Sequence, residues 1–157
     1  RYSTASGRSM SHVRTQIRDA LVARLTGLAT TGAAVHGQRT RPVAAVPPFI
    51  KVYLGDDSGE LLGVTTDAVE QRSADLVIEA YAKDGADMED ILDQIALEVQ
   101  VQIATTPDLT FGGLVKMILA PRIEPDVDDS LEKPCGINRI TYPITYFIAG
   151  TNPAVAL

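Results

Sequence analysis

At 157 residues, with 45% apolar and 22% charged side chains, the chain has the size and composition of one globular domain that buries a core without staples. Its single cysteine, Cys135, excludes an intramolecular disulfide and argues against a cysteine-based zinc site, and no apolar run approaches the roughly 18 residues of a membrane span. The net charge of −6 is unevenly divided: residues 1–51 carry eight Lys/Arg and one acid (+7), whereas residues 52–157 carry six and nineteen (−13), and so acidic a body opposes tight binding to phosphates.

Residues 1–9 are polar, patternless and without the apolar stretch of a secretory signal. Met10 followed by Ser-His-Val reads as a natural start. We therefore expect 1–9 to be disordered or added, 10–150 to form one domain, and 151–157 to be a tail. Val13, Ile17, Leu21, Leu25 and Leu28 recur at helical spacing and predict an amphipathic helix from about Ser11 to Gly27, with Ser11 as its N-cap. A short strand is expected within Ala33–Gly37, then a loop over Gln38–Pro48 that carries Arg39 and Arg41. Phe49–Leu54 alternates as a strand and meets a turn cluster at Gly55–Gly59, and residues 60–70 read as a flexible hairpin arm. In the strand predicted for Arg72–Lys83, Ala74, Leu76, Ile78 and Ala80 share one face.

Asp87 is positioned to cap a second helix, with Glu89, Asp90 and Asp93 near its positive end. Met88, Ile91, Leu92, Ile95, Val99 and Ile103 form its apolar stripe, and Thr105-Thr106-Pro107 closes it. Leu114–Pro121 and Ile137–Ala149 are two further strands joined by an acidic loop, Arg122–Gly136. The order α-β-β-β-α-β-β predicts an α+β fold, two helices laid on a small, mainly antiparallel sheet. Pro143 has no N–H to donate and belongs on a sheet edge or at a break in the ladder. If the final strand is an edge, the Tyr142/Ile144/Tyr146/Ile148 side packs inward and the backbone is open to another chain.

No set of residues announces catalysis, and we expect no enzyme activity, cofactor or metal. Asp56-Asp57-Ser58-Gly59-Glu60 departs from a calcium loop, because its glycine falls fourth instead of sixth and Asp67 stands where the bidentate Glu belongs. Asp126, Asp128 and Asp129 read as an exposed acidic loop. His12 and His36 lack carboxylate partners at ligand spacing, and Gly112-Gly113 lacks the lysine and helix of a phosphate cradle. Arg14 and Arg18 lie four apart on one helix face, and Arg39 and Arg41 sit on a proline-bracketed loop. These four are candidate contacts with an acidic neighbour, and Ile144 and Tyr146 join them through the final strand.

Three stretches carry a family resemblance. They are the opening VRTQIRDALVARL helix with the Gly37-Gln38-Arg39 loop after it, PPFIKVYLGDD followed by a polar arm and ADLVIEAYAKDG, and the closing INRITYPITYFI. In this order of elements, from Met10 to Ile148, the chain resembles the tail-terminator proteins of long-tailed bacteriophages, the group of the lambda-like minor tail protein U. The resemblance implies a virion protein of the head–tail neck, assembled in the host cytoplasm. Its subunits would form a homohexameric ring that caps the tail tube, ends its polymerisation and meets a head-completion protein. Phage DNA would pass through the lumen without specific binding, and Asp56, Asp57, Asp126, Asp128 and Asp129 are the candidate lumen-facing acids. A head–tail connector ring is the alternative, and a small α+β enzyme or ligand-binding domain a third.

Overall fold

The computed structural model describes residues 11–40, 45–65, 67–105, 108–129 and 134–157. The expectations for residues 1–9, Arg41, Thr106 and Pro107 lie outside the described residues. Helix α1 spans Val13–Leu25, and the side chains that recur every fourth position, Val13, Ile17, Leu21 and Leu25, are all buried. Its cap is His12, one residue inside the expected Ser11, whose imidazole Nδ1 accepts the Arg14 N–H at 3.0 Å. At the other end Thr26 is extended and Gly27 turns at φ +99, a conformation that disfavours any side chain.

Seven strands make one sheet among the described residues. They are β1 (Val35–His36), β2 (Phe49–Leu62), β3 (Val69–Lys83), β4 (Met117–Ile118), β5 (Arg122–Asp128), β6 (Cys135–Ala149) and β7 (Asn152–Ala156), with α2 (Met88–Thr105) between β3 and β4. The spatial order is β1-β2-β3-β6, and β4, β5 and β7 share the far side of β6. Only β1 is parallel to its neighbour. The fold is thus α+β, two helices on a mainly antiparallel sheet, in the expected order as far as α2, with two strands more than expected after it.

Period-2 alternation sorts each strand into two faces. Ile50, Val52, Leu76, Ile78, Ala80, Ile140, Tyr142, Ile144 and Ile148 face α1 and α2 and form the main core with Leu92, Ile95 and Val99. On the opposite face Phe49, Tyr81, Cys135 and Ile137 form a smaller cluster, in which Phe49 stacks on Tyr81 with ring centres 4.5 Å apart.

The structure corrects five expectations. Gly55–Gly59 is no turn: β2 runs through it with a bulge between Leu54 and Asp57, and residues 57–62 pair with 69–74 of β3, so the arm is a laddered hairpin. Residues 122–128 are a strand and not a loop, because Ile123, Pro125 and Val127 alternate with Glu124, Asp126 and Asp128 along the edge of the sheet, where a proline is tolerated. Of the expected 114–121 strand only Met117–Ile118 pairs, and the expected tail supplies β7.

The fifth concerns the edge reading of the last long strand: β6 is interior, and Pro143 takes the other place its missing N–H allows. The strand pairs with β3 along its whole length and with β5, β4 and β7 in turn on the other side. Pro143 accepts the Leu119 N–H at 2.9 Å toward the gap between β4 and β5, so its missing donor falls at a break in that ladder.

Gly150, just beyond β6, donates its N–H to Ala68 O at 2.9 Å. A Cβ there would lie 2.6 Å from the same Ala68 oxygen, which is backbone and cannot swing aside. Gly150→Ala is expected to lower the unfolding free energy by about 1–3 kcal/mol in urea. Gly136→Ala should cost less, because its Cβ would meet Met88 Sδ at 2.5 Å, part of a flexible side chain. Equal losses would show that the hairpin base adjusts as freely as a methionine.

Candidate functional site

Beyond the end of β1 the outer side of β2 has no strand partner among the described residues, and its carbonyls at Leu54 and Gly55 are met by arginines. Arg14 from α1 donates to Leu54 O at 3.3 Å and Gly55 O at 3.2 Å, and Arg39 from the loop after β1 donates to Leu54 O at 3.2 Å. The Arg39 guanidinium also lies 5.1 Å from the Tyr53 ring centre. Together with Thr15, Arg18 and Gln38 these residues line a concavity of about 220 Å³. Arg18 pairs with its neighbour Asp19 at 3.4 Å, an exposed contact of little energetic weight. The pocket thus joins two stretches that sequence spacing had singled out separately.

Arg14 is also bound inward, by Asp57. The bulge in β2 turns Asp57 toward the helix side, where its carboxylate is 6% exposed and accepts from Arg14, from Arg72 Nε at 2.8 Å and from the Tyr146 hydroxyl at 2.6 Å. Burial alone would raise the Asp57 pKa. The hydrogen bonds from Tyr146, Arg14 and Arg72 and the Arg72 charge outweigh that, and the carboxyl lies below its ordinary range. Arg72 reaches on to Glu70 in the hairpin. This node ties α1, β2, β3 and β6 together.

A second carboxylate, Glu79, is buried on the opposite face of the sheet. It accepts from the hydroxyls of Tyr53 and, at 2.8 Å, Tyr81, and pairs with Lys51 at 3.3 Å and Arg139 at 3.4 Å. The Lys51 ammonium also donates to Arg39 O at 2.8 Å, which links this node to the arginine loop. Desolvation would raise the Glu79 pKa, but the two tyrosine hydroxyls and Lys51 hold it below the ordinary carboxylate value. Burial and the Glu79 hydrogen bond push the Tyr53 phenol up to about 12.

At the far edge of the sheet, β5 presents acids. Glu124, Asp126 and Asp128 point to one face, and Asp129 follows directly. Asp126 is 55% exposed and lies 3.9 Å from Arg139 Nη2, and Glu124 pairs with Arg122 at 2.9 Å.

Set against the sequence expectations, Arg14, Arg18 and Arg39 converge on one pocket, with Arg14 already paired inside the fold. Ile144 and Tyr146 are corrections: both are within the core, because β6 is interior and their side of it faces the helices. Asp57 is the same kind of correction, buried where an exposed acid was expected, whereas Asp56 beside it is exposed. Spacing gave no sign of Glu79, Lys51, Tyr53, Tyr81 and Arg139 as a group; the one hint was charged residues inside apolar strands. Among the described residues no three metal-ligating side chains gather.

No family model matches the sequence, and no curated protein matches it. Among solved structures, the chain is similar to one from the virion of a native gene transfer agent particle, with a TM-score of 0.41 and 15% identity over 92% of this chain and 99% of that one.

Proposed function

We propose that the protein is a structural subunit of a phage-like virion that assembles with copies of itself into a closed ring at the end of the tail tube, ends the tube's growth and offers the surface that joins the head. One observation carries the reading: the two edges of a single sheet are unlike, an arginine-lined pocket at the β1/β2 edge and an acidic strand, β5, at the other. A subunit with two different, complementary edges associates head to tail, and such contacts close into a ring when the rotation permits. The order of elements that resembles the tail terminators supplies the ring's place and its six-fold number. The protein makes and breaks no bonds in this role. Acids such as Asp56 and Asp129 suit a lumen through which DNA slides without sticking.

Purified full-length protein, viewed by negative-stain electron microscopy and weighed by mass photometry, is expected to give six-subunit rings. Antibody labelling of the particles that contain it is expected at the head–tail neck. A chain that stays monomeric at every concentration, or label confined to the capsid or fibres, would end this reading. Rings that bind the portal and not the tube would make it a connector.

A further inference from the structure

We infer that the arginine pocket of one copy receives the β5 edge of a second copy, with the Asp126 and Asp128 carboxylates entering beside Arg18 and Arg39. The inference rests on the ring reading and names the contact that would build the ring.

Three observations converge on it. First, the pocket and β5 lie at opposite edges of one sheet, separated by β2, β3 and β6. Within one copy no ion pair joins Asp126 to the pocket arginines among the described residues, so that complementarity is left to a contact between copies. Second, the side chains at the two edges carry opposite charges. Arg14 is neutralised from inside by Asp57 and serves as a fixed wall. Arg18 has only the exposed contact with Asp19 among the ion pairs of the described residues, and Arg39 spends Nη2 on Leu54 O while a guanidinium carries five donors. Thr15 and Gln38 add neutral hydrogen-bonding groups to the wall. On β5 the weak 3.9 Å approach of Asp126 to Arg139 is readily exchanged for a better partner.

Third, the dimensions match. Side chains two residues apart on a strand stand about 7 Å apart on one face, so Asp126 and Asp128 present two carboxylates in a row. A concavity of about 220 Å³ admits carboxylate-bearing side chains but no helix. Beside it, β2 has no strand on its outer side at Leu54 and Gly55 among the described residues, so an extended segment is the shape that edge accepts. Duplex DNA is the competing occupant, and the net charge of −6 opposes it.

A charge exchange tests the contact on the full chain. Arg18→Glu/Arg39→Glu makes both edges acidic, and Asp126→Arg/Asp128→Arg makes both basic. Each variant alone is expected to associate with itself about 100-fold more weakly than the wild type, or worse. Mixed in equal amounts they are expected to recover rings of alternating copies, because every junction then joins an acidic edge to a basic one. If the wild type forms rings and either variant assembles as well as it does, the inference falls and the ring reading stands. It also falls if both variants fold, fail alone and fail together, or if duplex DNA binds the wild type through Arg18 and Arg39 while assembly ignores them. A wild type that never assembles removes the ring reading itself. Should a reversed variant melt early, copies carrying Arg39→Cys and Asp126→Cys are mixed and treated with a short thiol crosslinker; a covalent dimer of one of each is expected, and its absence between assembled copies overturns the contact.

Discussion

Replacing Asp57 with alanine is expected to lower the unfolding free energy by about 2–4 kcal/mol, less than the cost of stranding a fully buried charge because Arg14 and Arg72 keep some solvent and Arg72 keeps Glu70. The carboxylate is 6% exposed and holds three groups at once. Without it, the Arg14 and Arg72 charges lose their shared counter-ion, and the Tyr146 hydroxyl, within the main core, loses its acceptor. Tyr146→Phe removes one donor and keeps the ring, so it is expected to cost only about 1 kcal/mol. Because the two residues share a bond, their double variant should fall short of the sum of the singles. Urea unfolding with an unchanged slope reads these differences. A loss below about 1 kcal/mol for Asp57→Ala would mean that solvent and the Leu54 and Gly55 carbonyls satisfy the arginines unaided.

The same node sets an acid limit. The Asp57 carboxyl lies below its ordinary 3.8 in the folded chain, and Glu79 below its ordinary 4.5. A group whose folded pKa is depressed contributes stability that is complete above the unfolded pKa and is lost as the pH falls through the folded one. Stability is therefore expected to hold from neutral pH to about 4 and to decline below it, with a shallower decline in Asp57→Ala.

The parts of this fold that sequence reveals are those in which burial follows a fixed period. Val13, Ile17, Leu21 and Leu25 mark α1, and Leu76, Ile78 and Ala80 mark β3, because each sequence period equals the geometric period of its element. The bulge before Asp57 has no such mark. Whether Asp56 or Asp57 turns inward depends on one extra residue in β2, and the groups that then meet the carboxylate come from positions 14, 72 and 146, which no spacing rule connects. β5 was hidden by its acids, which read as loop when the partner strand is unknown. Pro143 pointed rightly to an interrupted ladder, but the interruption lies between two partners, β5 and β4, instead of at an edge. The arginine pocket was half visible: the helix period puts Arg14 and Arg18 on one face, but nothing local shows that Arg14 is consumed by Asp57 or that Arg39 returns to β2.

Glu79 poses the sharper energetic question, because its environment permits an exchange that Asp57 does not. Glu79→Ala is expected to cost about 3–5 kcal/mol, since it strands the Lys51 ammonium, whose side chain is 8% exposed, and frees the Tyr53 and Tyr81 hydroxyls. Glu79→Gln keeps an acceptor for one tyrosine but still leaves Lys51 without its counter-ion. Adding Lys51→Met removes the stranded charge, and Arg139, 36% exposed, can turn fully to Asp126. The Lys51→Met/Glu79→Gln pair is therefore expected to recover to within about 2 kcal/mol of the wild type, above either single change. Tyr53 offers an independent reading. Its phenol, held up to about 12 by burial and Glu79, should titrate closer to 10 in Glu79→Ala when followed by phenolate absorbance. In the wild type this raised pKa contributes stability below 10 that is lost as the pH rises toward about 12. If the double variant proves no more stable than Glu79→Gln, the desolvated ammonium is not the dominant cost, and the tyrosine hydroxyls and the contacts around Phe49 hold that face of the sheet instead.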